Sequence, residues 1–87
     1  MNKIKWTIIR KDSTAVIHKA LIDEKIVEIE SAINRPYVVT VTSQNGEKVK
    51  TEYPRAVLRY ELQQYLISTI KHPNENHKLT IPFQKNK

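Results

Sequence analysis

The chain has 87 residues, one glycine and no cysteine, and its fifteen Lys and Arg outnumber nine Asp and Glu for a net charge of +6. That length holds one domain with a single core, and the missing cysteines exclude disulfide staples, thiol chemistry and cysteine zinc sites. The lone glycine excludes glycine-rich phosphate cradles, and apolar runs as short as Ala15-Val16-Ile17 and Ala20-Leu21-Ile22 exclude a membrane span or signal peptide. A cytoplasmic protein with no membrane contact is therefore expected.

Lys3 to Arg10 alternates Ile4, Trp6 and Ile8 against Lys3, Lys5, Thr7 and Ile9, the pattern of a half-buried strand. Lys11-Asp12-Ser13-Thr14 breaks it and offers Asp12 or Ser13 as a helix N-cap. From Ile22 onward, Ile22, Ile26, Ile29 and Ile33 follow helical spacing, with Asp23, Glu24, Glu28 and Glu30 turned away. Length, alanines and the absence of glycine or proline predict a helix over residues 14–33. The β-branched content supports the alternative of two strands turning at Asp23-Glu24-Lys25. Asn34-Arg35-Pro36 ends the segment, since the residue before proline is pushed out of the α region.

Tyr37 to Tyr53 reads as a hairpin around Asn45-Gly46. A two-residue loop would set Val41 beside Lys50, whereas a three-residue loop, Gln44-Asn45-Gly46, pairs Val41 with Val49, Val39 with Thr51 and Tyr37 with Tyr53. A one-residue slip moves every side chain to the other face, so the apolar match selects the three-residue loop, with Gly46 in the left-handed bulge position. The opposite face then carries Val38, Thr40, Thr42, Lys48, Lys50 and Glu52.

A second helix is predicted over 54–71. Pro54 suits its first position, and Leu58, Leu62, Tyr65, Leu66, Thr69 and Ile70 form a continuous stripe, with Pro73 as the stop. His77 to Phe83 alternates Leu79, Ile81 and Phe83 and carries Pro82, the mark of an edge strand. Residues 1–83 thus form one α+β domain of order β-α-β-β-α-β, a ferredoxin-like antiparallel sheet with two helices on one face; residues 84–87 are a polar tail. In that arrangement 3–10 and 48–53 are the central strands. If residues 14–33 are strands, the fold becomes an antiparallel meander on one helix, 54–71. The predicted core gathers Trp6, Val39, Val41, Leu58, Leu62 and Leu66.

No constellation points to catalysis. Ser13, Ser31, Ser43 and Ser68 lack a glycine-rich elbow, and Glu24 and Glu28 at i, i+4 read as a solvated face. His18 reads as a surface histidine. His72, Glu75 and His77 lie close together without a spacing that aims them as metal ligands. No enzyme, cofactor or metal is expected. The binding candidates are two. Lys3, Lys5, Lys48, Lys50 and Lys78 fall on the sheet face away from the helices, suited to a nucleic-acid backbone bound by charge. The order of elements resembles that of RNA-recognition-motif domains, which bind single strands on this face. Their third-strand aromatic signature has no counterpart in Lys48-Val49-Lys50-Thr51-Glu52-Tyr53, so the binding would be electrostatic and non-specific. Alternatively, Ala56, Tyr60 and Ile67 form an outer stripe of helix 54–71 for a protein partner or a second copy of the chain.

Overall fold

A computed structural model describes residues 4–77 and residue 79. Among these, five strands precede one helix: β1 (Thr7–Lys11), β2 (Ala15–Ile22), β3 (Lys25–Ala32), β4 (Tyr37–Thr42), β5 (Lys48–Tyr53) and α1 (Arg59–Lys71). The strands form one sheet in sequence order, every neighbouring pair antiparallel. The architecture is the meander on one helix, and the ferredoxin-like order is corrected at its first helix. Of the edge strand expected over His77–Phe83 only His77 and Leu79 are described, neither of them in a strand; the rest, like the tail 84–87, lies outside the described residues.

Residues 14–33 form β2 and β3 because a two-residue turn fits them better than continued helix. Asp23 and Glu24 both adopt left-handed backbone, with φ of 47° and 69°, and Ile22 pairs with Lys25 directly across the turn. Left-handed geometry at both central residues matches the natural twist of the flanking strands. The helical spacing of Ile22, Ile26, Ile29 and Ile33 was coincidental. Ile22 and Ile29 are fully buried together with Val27, which is off that stripe, while Ile33 lies exposed in the next turn. Period-two alternation of Ala20 with Ile22 and of Val27 with Ile29 decides the segment.

Asp12 does cap a chain reversal, though one between strands. Its Oδ1 accepts from the Thr14 and Ala15 amides at 2.8 and 2.9 Å and from the Thr14 hydroxyl, and Arg10 Nε donates to Oδ2 at 2.8 Å. Those bonds hold the Asp12 carboxyl well below the usual carboxylate range, the Arg10 bond first and the Thr14 bonds next. The third connection, Ala32 to Arg35, closes with the Arg35 amide on the Ala32 carbonyl at 3.3 Å and Asn34 at φ 58°. Asparagine tolerates that region better than most residues.

The Tyr37–Tyr53 hairpin has the register read from its apolar positions: Val41 faces Val49, Val39 faces Thr51 and Tyr37 faces Tyr53. The Gly46 amide bonds the Ser43 carbonyl and the Ser43 amide bonds the Glu47 carbonyl, each at 2.9 Å, around a three-residue loop. Gly46 sits at φ 89° with open space where a Cβ would project.

The helix starts later than its proline. Pro54 to Val57 is a turn, closed by the Val57 amide on the Pro54 carbonyl at 3.1 Å, and it drives Val57 into the core. Leu58 becomes the extended N-cap and is 56% exposed, which corrects its assignment to the core. The buried layer is Ala20, Ile22, Val27, Ile29, Val39, Val57, Leu62 and Leu66, with Ile4, Trp6, Tyr37, Val41, Tyr53 and Tyr65 packed around it. Tyr53 and Tyr65 meet edge to face at 6.1 Å. Trp6 and Val41 thus reach the core as half-buried residues.

Leu62→Ala will destabilise by roughly 2–5 kcal/mol in urea unfolding because its site is fully buried. Leu58→Ala, one turn earlier and exposed, will shift stability by no more than about 0.5 kcal/mol. Gly46→Ala will cost about 1–2 kcal/mol through backbone strain alone, since a new methyl would touch nothing. An equal loss in both leucine variants would refute the packing described.

Candidate binding surfaces

Among the described residues one helix covers one side of the sheet and leaves the other side open. Strand register arranges that face in rows. Thr7, Lys19, Glu28, Thr40 and Lys50 run across it from β1 to β5. Next to them lies the row Ile17, Glu30, Val38 and Glu52, and on the other side the row Leu21, Ile26, Thr42 and Lys48. Lys48 and Lys50 therefore do sit on the face away from the helix. Lys5 joins that face beside Thr7, Ile9 and Leu21, where these residues with Lys19 and Ile26 line a shallow depression.

The lysines do not come together. The meander places β1 and β5 at opposite edges, four strand spacings or about 19 Å apart, so Lys5 is remote from Lys48 and Lys50. Glu28 and Glu30 of β3 occupy the middle, with Lys19 directly opposite Glu28. Lys3 and Lys78 lie outside the described residues. All nine carboxylates but only eleven of the fifteen Lys and Arg fall within the described part, Lys3, Lys78, Lys85 and Lys87 being the remainder. The described part is nearly balanced in charge, and its open face is a mixed one. None of the described aromatic rings lies on it: Trp6, Tyr37, Tyr53 and Tyr65 pack toward the core.

The second candidate set divides. Tyr60 and Ile67 line one groove of about 500 Å³ with Ile4, Trp6, Gln63, Gln64 and Lys71. Ala56 stands apart in the exposed turn before the helix. Ile67 is half-buried and Tyr60 is 63% exposed, so the groove has an apolar wall and an accessible phenol. The N-terminal segment supplies its second wall because the alternation of β1 extends back through Trp6 and Ile4. Sequence reading found the helical stripe and missed that wall, since only the packing of chain start against helix joins them.

His18 is the other departure. It is 7% exposed on the helix side of β2, between Ile8 of β1 and Ile29 of β3, and its Nδ1 has no hydrogen-bond partner. Burial pushes its pKa down, and the positive charge of Arg59 adds to that. The same alternation that buries Ala20 and Ile22 buries His18, which corrects its expected place on the surface. Among the described residues no group of three or more His, Asp or Glu is placed to hold a metal, and His77 Nε2 lies 2.8 Å from the His72 carbonyl. No helix among them is long and apolar enough to cross a membrane.

Comparison of the chain with protein-family models, curated proteins and solved structures finds no match.

The buried imidazole makes stability depend on pH with a definite sign. Its pKa in the folded state lies below the ordinary 6.5, so below pH 6.5 the unfolded chain binds a proton that the folded one refuses. Urea midpoints will fall as the pH drops from 6.5 toward the lowered value, and His18→Leu will remove that part of the slope. An unchanged slope in the leucine variant would assign the dependence elsewhere.

Proposed function

We propose that the protein is a small, non-enzymatic module that binds another protein, and that the groove between α1 and the Ile4–Trp6 segment receives a short stretch of the partner's chain. A single observation supports this best: Trp6, Tyr60 and Ile67 converge on one accessible groove whose remaining lining includes the exposed Gln64 and the buried Gln63. Tryptophan and tyrosine are the residues that most often carry binding energy at protein interfaces. The amide of the exposed Gln64 both donates and accepts, which suits the N–H and C=O groups of an extended backbone. Apolar side chains of the bound segment rest on Ile4, Trp6 and Ile67, and Tyr60 closes over them.

A nucleic-acid partner is the second reading, favoured by Lys48 and Lys50 lying two residues apart on the open face of β5. It is the weaker one. Glu28, Glu30 and Glu52 share that face and repel a phosphate backbone, and among the described residues no ring is there to stack on bases.

The two readings separate in one pair of measurements. Peptides selected from a random displayed library on the intact protein will lose at least about tenfold in affinity on Tyr60→Ala, a change of about 1.4 kcal/mol. They will bind the Lys48→Glu, Lys50→Glu double variant unchanged. Failure to enrich any peptide, or binders indifferent to Tyr60→Ala, would remove the groove. Binding of generic single-stranded nucleic acid that weakens steeply with salt and is lost in the lysine double variant would establish the second reading instead.

A further inference from the structure

The two edges of the sheet are unequal. β1 has five residues, is broken by a bulge between Ile8 and Arg10, and ends in Arg10 and Lys11. Short, bulged and charged strands are how proteins keep an edge from pairing. β5 has six residues in unbroken register with β4, and among the described residues no strand lies beside it. The Ser43–Glu47 bond sets the phase of its ladder. Counting from that pair, Val49, Thr51 and Tyr53 turn their N–H and C=O toward β4, and Lys48, Lys50 and Glu52 turn theirs outward.

We infer that β5 is a self-pairing edge: two copies of the chain associate antiparallel through β5, joining their sheets into one of ten strands. The alternation of residues selects the register. With Thr51 on the two-fold axis, Lys50 of each copy faces Glu52 of the other on the open side, and both residues belong to the outward-bonding set. On the helix side Val49, which is 56% exposed, faces Tyr53 of the second copy. The pairing therefore closes four backbone hydrogen bonds, two opposite-charge pairs and two apolar pairs at once. A shift of one pair, with Lys50 on the axis, keeps two opposite-charge pairs, Lys48 against Glu52, but sets Lys50 against itself and Val49 against Thr51, adding a repulsion and losing both apolar pairs. The edge is on the far side of the sheet from the groove of Trp6 and Tyr60, so self-association neither needs that groove nor blocks it.

The test is sedimentation equilibrium of the full chain from about 1 µM to about 1 mM, a range that spans weak association. The protein will pass from monomer to dimer. Lys50→Glu and Glu52→Lys singly will each weaken the dimer by about tenfold or more, since each turns both charge pairs repulsive. The combined Lys50→Glu, Glu52→Lys variant restores opposite charges and will recover the dimer. Amide hydrogen exchange at Lys50 and Glu52 will slow as concentration rises, and that at the β1 edge will not. Circular dichroism of each variant verifies that these exposed changes leave the fold intact. A chain monomeric throughout, a dimer insensitive to the single changes, or a double variant that stays monomeric would each overturn the inference.

Discussion

The structure depends on one apolar layer that, among the described residues, a single helix covers. Ile22, Val27, Ile29 and Val39 project from three adjacent strands, and Leu62, Leu66 and Val57 close over them. Burying a side chain of this size contributes about 1.5–3 kcal/mol, which a domain this small must obtain from few residues. The register of β2, β3 and β4 therefore matters, because among the described residues the buried apolar layer lies on one side of the sheet only. The Asp23–Glu24 turn and the Gly46 bulge matter for the same reason: each sets the register that keeps these side chains on one side.

That constraint also creates the binding surfaces. A sheet covered on one side leaves an open face, two edges and the outer flank of the helix, and the residues divide among them by chemistry. The open face pairs lysine against glutamate across strands and keeps Leu21, Ile26 and Ile17 among them. The flank collects Trp6 and Tyr60 at a groove. Asp12 and Arg10 tie down the turn at one end of β1. At the opposite end of the sheet Lys71 reaches Asp23 at 3.4 Å, an exposed contact that orients the end of the helix while adding little energy.

Connectivity then decides what charge can do. Had the chain crossed over with two helices, the first strand and the 48–53 strand would be neighbours and their lysines one patch. Hairpin connections instead lay the strands side by side in sequence order, so these strands end up as the two edges with the glutamates of β3 between them. The same lysines on the same face thereby pass from a concentrated basic patch to one half of a balanced pattern. Only the arrangement differs; the composition is identical.

The sequence by itself determined those elements whose information is local. The hairpin register of Tyr37–Tyr53 follows from apolar alternation and the one residue free of Cβ, and the helix stripe of Leu62 and Leu66 follows from its spacing. Asp12 was expected to cap a helix that does not form; its carboxylate instead accepts from the amides two and three residues on in a reversal between strands. Tertiary structure alone decided residues 14–33, where four isoleucines satisfy helical spacing while Ala20, Ile22, Val27 and Ile29 satisfy alternation. Local preference is evenly divided there, and the gain from pairing β2 with both β1 and β3 breaks the tie. It likewise decided that Val57 and not Leu58 enters the core, since a turn after Pro54 rotates the chain before the helix begins. The burial of His18, the groove at Trp6 and the separation of Lys5 from Lys48 and Lys50 depend on which strands are neighbours, a property that no stretch of residues carries alone.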